Sequence, residues 1–187
     1  MLNSPRPPHF HGAFASHYHL AAGRHFYVTP DVLTDAEAAG ANCGLAQMLF
    51  TLERVGVRRG QTVVVQGCGG LGLFACAIAH RSGARVVAVE RDPGRIAAAR
   101  RFGASAVVDM ARDATAADRA LRDAEVTDGD GADLGGEVTG RPEAFAEAVE
   151  FARTGGAIAS VGNLGTCLLY TSPSPRDLST SRMPSSA

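Results

Sequence analysis

The chain has 187 residues, 45% of them hydrophobic and 20% charged, which is enough for one complete domain with its own core and ordinary for a soluble protein. A formal net charge of -1 excludes a bulk electrostatic pull toward nucleic acid or an anionic membrane. No apolar run reaches the roughly 18 residues a spanning helix needs, and the first residues lack the charged-then-apolar pattern of a signal peptide. Cys43, Cys68, Cys76 and Cys167 form no C-x-x-C pair, so reduced thiols and a cytoplasmic location are expected.

Three composition regimes follow one another. Residues 1–33 are rich in His, Pro and aromatics, residues 34–165 alternate Ala-rich helical patterns with short Val/Ala runs, and residues 166–187 form a Ser/Thr/Pro tract. In the middle region Thr34-Asp35-Ala36-Glu37 has capping-box spacing and predicts a helix start. A helix is expected over about 43–55, with Leu45, Met48, Leu49 and Leu52 on one face. Gly60 precedes Thr62-Val63-Val64-Val65, an apolar run suited to a central parallel strand. Leu71 to about Arg81 reads as helix and Arg85–Glu90 as the second strand.

Asp92-Pro93 predicts an N-cap followed by proline at the first helical position, with the helix ending at Gly103. Further on, Ala106–Val108 reads as strand, Thr115 to about Asp123 as helix, Ala132–Val138 as a weaker strand, Pro142 as a helix start and Ala157–Val161 as strand. Gly135 and Gly136 make the 132–138 strand the weakest of these, and topology alone places it in the sheet. Strands alternating with helices at this spacing imply right-handed crossovers and an α/β, Rossmann-like, doubly wound parallel sheet.

The Gly67-Cys68-Gly69-Gly70-Leu71-Gly72 run follows the first strand and opens the next helix. G-x-G-x-x-G alone is a weak signal. Inside a βαβ unit, with Glu90 ending the second strand, it predicts a dinucleotide site. Gly67 permits the turn, Gly69 lets the backbone approach a pyrophosphate, and Gly72 allows close helix packing. The helix N-terminus offers free N–H groups and partial positive charge. Glu90 is expected to accept hydrogen bonds from the adenosine ribose hydroxyls and to repel a 2′-phosphate, favouring NAD over NADP. Arg91 weakens that preference, because it is placed to pair with such a phosphate. Arg95 lies within reach of the same ribose, or is simply an exposed helix residue.

These residues resemble the zinc-type medium-chain alcohol dehydrogenase family, over about Gly12 to Asn163. Gly12-Ala13-Phe14-Ala15 is similar to the family's G-G-F-A-E stretch, with Ser16 in place of the acid. Val28-Thr29-Pro30-Asp31 resembles its entry to the interdomain helix, and Gly103-Ala104 matches a further family pair. Asn42-Cys43-Gly44 resembles its third catalytic zinc-ligand segment. Gly131-Ala132-Asp133 through Glu137-Val138-Thr139-Gly140 resembles the segment beside the nicotinamide ribose.

The resemblance implies a remnant of a GroES-like β domain at 1–33, a nicotinamide dinucleotide-binding domain at 34–165, and Cys43 as one zinc ligand. In the intact enzyme it implies hydride transfer between NAD(P) and an alcohol, aldehyde or ketone, with zinc as Lewis acid, in a homo-oligomer. The family's other zinc ligands should precede residue 1 and its closing strands should follow Gly165, so the chain reads as cut at both ends. One thiolate makes no tetrahedral site, so the fragment alone is expected to be inactive and zinc-free. Cys43 as a small buried helix residue is the alternative. Residues 167–177 and 181–187 resemble, in one frame, a translated sequencing adapter, and 166–187 are expected to be a non-native disordered tail.

Other readings remain. His9, His11, His17, His19 and His25 crowd the start, and His17 and His19 would share one face of a strand, but no carboxylate or thiol pattern joins them. Cys68 is expected to be a spacer turned from the cofactor, and Cys76 a core residue. A zinc-free quinone oxidoreductase of the same superfamily is the principal alternative. An S-adenosylmethionine-dependent methyltransferase shares the strand–loop–strand outline, yet usually has an acid where this chain has Gln66. A non-catalytic NAD-sensing module would normally begin at the first strand.

Overall fold

The computed structural model describes residues 16–20 and 22–162. The Gly12–Ala15 match, His9, His11, Asn163 and the adapter-like tail therefore lie outside the described residues. The chain divides into two units at Ala38/Ala39. In the first, Thr34 and Glu37 form the expected reciprocal cap: the Thr34 N–H donates to Glu37 Oε2 at 2.8 Å and the Glu37 N–H to Thr34 Oγ1 at 3.3 Å. The helix it opens, α1 (Asp35–Ala38), lasts only four residues. His17 and His19 are exposed and lie in no strand, so they do not share a strand face as expected.

The second unit begins with a π-helical segment, Ala41–Leu45, that runs into α2 (Ala46–Val55). A single α-helix over 43–55 was expected; its first turn is π-helical instead. A Cβ on Gly40 or on Gly44 would stand 3.1 Å from the Phe74 ring, so this backbone lies against the next helix. Met48 and Leu52 are buried, whereas Leu49 is exposed and does not join them. The remaining order is β1 (Thr62–Gln66), α3 (Gly70–Arg81), β2 (Arg85–Glu90), α4 (Pro93–Arg101), β3 (Ala106–Asp109), α5 (Ala116–Val126), β4 (Ala132–Glu137), α6 (Pro142–Phe151) and β5 (Ala152–Ser160).

The five strands pair in parallel in the order β3-β2-β1-β4-β5. β1 and β4 are thus neighbours whose connections leave in opposite directions, the switch point where such sheets bind ligands. Val63, Val65, Val86 and Ala88 belong to the core cluster shared with Cys76 and Ala79 of α3 and Ala99 of α4. Val64, Val87, Val89 and Val108 form the other, with Val126 of α5 and Phe151 of α6. Burial on both faces explains why these strands are continuous Val/Ala runs instead of alternating ones.

β4 is a full member of the sheet, and its glycines have a reason. A Cβ on Gly135 would stand 2.9 Å from the Ala148 carbonyl oxygen, so the missing side chain lets α6 lie close. β5 starts earlier than expected, directly after Phe151, and its pairing with β4 is irregular between Ala132 and Leu134. Among the described residues no helix is long and apolar enough to cross a membrane.

Candidate dinucleotide site

β1 ends in a turn that only glycine fits well. Gly67 has φ 89°, and a Cβ there would stand 2.7 Å from Thr139 Cγ2. Gly72, buried in the first turn of α3, faces the Gly67 carbonyl oxygen so closely that a Cβ would overlap it. Gly69 is the N-cap of α3, in extended conformation, with no side-chain cap to its amides. At Gly69 and Gly70 a Cβ would meet nothing within 4 Å, and both are exposed. The back of the loop is thus closed against protein and its front is open. Leu71 is half-buried behind the loop, facing Gly44.

Glu90 is 5% exposed at the end of β2, and its carboxylate serves the loop. Oε2 accepts from the Cys68 N–H at 2.9 Å, and Oε1 from the Arg91 and Asp92 N–H groups at 2.8 and 3.1 Å. Arg95 reaches Oε2 at 3.9 Å from an exposed position. Burial pushes the Glu90 carboxyl pKa up, but the three backbone donors and Arg95 outweigh it and hold the pKa below the usual value. A free ribose acceptor was expected here; the structure shows a carboxylate with most of its acceptor capacity taken by backbone. Asp92 caps α4, accepting from the Arg95 N–H at 2.8 Å.

Cys68 and Cys76 are both fully buried, as a spacer and a core residue should be. The neighbouring Cys76 thiol and burial push the Cys68 pKa up, which keeps that sulfur a neutral, unreactive thiol.

The other side of the switch point is organised by Glu137, which has no exposed surface. Its Oε1 accepts from the Thr139 N–H, the Thr139 hydroxyl and the Gly140 N–H at 2.6–2.7 Å, and its Oε2 from the Ser160 hydroxyl at 3.0 Å. In the sequence Glu137 stands out only as part of a motif, and nothing local marks it as the buried anchor. Asp133 of the same motif is at the far end of the strand, accepting from the Thr62 N–H at 2.7 Å and pairing with Arg153. The motif therefore spans β4, and only its Glu137–Gly140 end reaches the site.

A cleft of about 1050 Å³ lies between these two groups. Gly67, Gly69, Glu90, Arg91, Arg95 and Thr139 all line it, so the structure brings together most of the residues singled out from sequence. Its far wall was not foreseen. Arg119 of α5 and Glu147 of α6 form a bidentate ion pair there, and Arg119 also donates to the Asp113 and Ala114 carbonyls. Arg119 and Glu147 lie 28 residues apart, beyond any local pattern.

Cys43 stands apart. It is exposed, contrary to the buried alternative, and among the described residues no group of three His, Cys, Asp or Glu side chains converges on a metal site. One thiolate is not a tetrahedral donor set, so the described residues do not fit a catalytic zinc by themselves.

Residues 70–178 match the zinc-binding dehydrogenase family. The chain belongs to that family. A 5-exo-hydroxycamphor dehydrogenase of Pseudomonas putida is 35% identical over 92% of this chain and 48% of its own length. An L-threonine 3-dehydrogenase of Burkholderia vietnamiensis is 33% identical over 81% of this chain and 42% of its own. The chain spans about half the length of these curated relatives. Among solved structures, an alcohol dehydrogenase from Thermus superposes with a TM-score of 0.67 at 27% identity, over 81% of this chain and 43% of that one. An alcohol dehydrogenase from Thermotoga maritima gives 0.62 at 33% identity, over 66% and 34%. This zinc-binding dehydrogenase fold is the Rossmann-like sheet expected from the strand–helix alternation.

Proposed function

We propose that this chain is the nicotinamide dinucleotide-binding part of an NAD-dependent alcohol dehydrogenase, which transfers hydride between NAD and a small alcohol, aldehyde or ketone. The observation that carries the reading is the one-sided glycine loop. Gly67 and Gly72 are locked against protein, while Gly69 lines the open cleft and, with Gly70, lies exposed at the uncapped start of α3. A diphosphate is the ligand chemistry that such a helix start and its dipole favour. The cofactor residues are Gly67, Gly69, Gly70, Leu71, Gly72, Glu90, Arg91, Arg95, Thr139 and Gly140.

NAD is favoured over NADP because the buried negative charge of Glu90 sits where a 2′-phosphate would arrive. With most of its oxygens' capacity committed to backbone, Glu90 acts here through its charge and by shaping the loop. Cys43 is proposed as one zinc ligand of the whole enzyme.

Thermal melting with added ligand tests the reading. NADH at a hundred times its dissociation constant should stabilise the protein by about 3 kcal/mol, with less from equal NADPH and nothing from S-adenosylmethionine. Stabilisation by S-adenosylmethionine alone refutes the reading.

A further inference from the structure

We infer that Gln66 reads the base of the dinucleotide, and that its carboxamide makes the site selective for a 6-aminopurine over a 6-oxopurine. The inference rests on the proposed dinucleotide site and names a specificity residue within it. Gln66 is the last residue of β1, immediately before the glycine loop, and it lines the cleft. It is 2% exposed, and its Oε1 has no hydrogen-bond partner. A buried carboxamide oxygen left unpaired costs about 1–3 kcal/mol, so an uncompensated one at the floor of a cleft marks a place where a ligand supplies the missing donor.

The position fits a base. In the sheet Gln66 pairs with Val89 on one side and Glu137 on the other. Val64, two residues earlier on the same strand face, packs with Phe151 of α6 and Val126 of α5. Gln66 therefore projects to the α5/α6 side, while Glu90, following Ala88 by two residues, belongs to the opposite face. A diphosphate at Gly69 and Gly70 with its sugar beside Glu90 leads the base toward Val89, Met110 and Val138, which line the cleft as an apolar slot. Gln66 lines the same cleft. The neighbouring carboxylate, Glu137, is already saturated by Thr139, Gly140 and Ser160.

A carboxamide offers one acceptor and one donor side by side, which is the complement of adenine's amino group and adjacent ring nitrogen. On the edge that carries N7, a 6-oxopurine replaces that amino donor with a second acceptor and leaves Oε1 unpaired. Selectivity by a buried polar group of this kind is large, because the wrong ligand leaves the group unsatisfied.

The test compares NADH with reduced nicotinamide hypoxanthine dinucleotide, by fluorescence titration of the wild type and of Gln66→Leu. The wild type should bind the adenine form at least about 10-fold tighter. Gln66→Leu, which replaces a buried polar group by an apolar one of similar size and should fold, is expected to bring the two affinities within about twofold, chiefly by weakening the adenine form. Equal binding of both dinucleotides by the wild type overturns the inference and leaves the dinucleotide site standing. So does a Gln66→Leu protein that still discriminates. Failure of the wild type to bind either one overturns both the inference and the site.

Discussion

Glu90 Oε2 accepts a hydrogen bond from the Cys68 backbone N–H at 2.9 Å, tying the acid that ends β2 to the middle of the glycine loop that ends β1. The residue expected to grip the cofactor's sugar is thus also a fastener of the surface that receives its phosphates.

Removing that fastener should cost stability and selectivity together. Glu90→Gln keeps the size of the side chain but loses the charge that three backbone donors face, at a cost of about 2 kcal/mol in chemical denaturation at pH 7. The sign with pH follows from the lowered pKa: the carboxylate's contribution is present above its ordinary value of 4.5 and is lost as pH falls through the lower folded value. Wild type and variant should therefore draw together as the pH is taken below 4.5 and through the lowered folded value. NADPH binding by Glu90→Gln should improve relative to NADH. An unchanged NADH/NADPH ratio would remove Glu90 from cofactor choice.

Asp123 of α5 predicts the opposite pH behaviour. It is 3% exposed, its Oδ1 has no partner, and burial pushes its pKa up to about 6. The folded state holds the proton more tightly than the unfolded one, so the Asp123 contribution to stability is greatest below about pH 4 and falls until the pH passes 6. At pH 7 the loss is about 3 kcal/mol. Asp123→Asn should raise the melting temperature at pH 7.5 and lose that advantage at pH 4, read by calorimetry at both.

Arg119 and Glu147 brace α5 against α6 at the cleft wall, with side chains 9% and 12% exposed. Glu147→Ala leaves the guanidinium with only its two carbonyl acceptors, and should destabilise the protein by about 3 kcal/mol in urea titration. Glu147→Gln should recover part of that loss. A neutral effect of Glu147→Ala would show the pair to be ornamental.

Gly72→Ala should fail structurally, because its Cβ would overlap the Gly67 carbonyl oxygen. A cost of about 3 kcal/mol or more is expected, the upper range of overpacking, measurable as a lowered denaturation midpoint.

Much of this was legible because it is local. Val63–Val65, the capped start at Asp92-Pro93 and the Gly67–Gly72 spacing each depend on neighbours within a few residues. The strand at 132–137 was harder, since two glycines lower intrinsic strand preference, and the reason for Gly135 is the approach of Ala148 from a separate helix. The π turn at 41–45 packs against Phe74, some 30 residues on, and nothing local in the sequence separates it from ordinary helix. In the site, the glycine frame and Glu90 were readable from one motif. The Arg119–Glu147 wall, the buried Glu137 hub and the orphan oxygen of Gln66 arise where separate elements meet, and no periodicity announces them.

The most direct measurement is the affinity of NADH for Gly69→Val beside the wild type, with both melting curves recorded. Gly69 has extended backbone and open space in front of it, so valine should leave the fold and melting temperature nearly unchanged while filling the room a diphosphate needs. The account predicts loss of NADH binding by at least about 100-fold in a folded protein. A folded Gly69→Val that binds NADH as tightly as the wild type would contradict it.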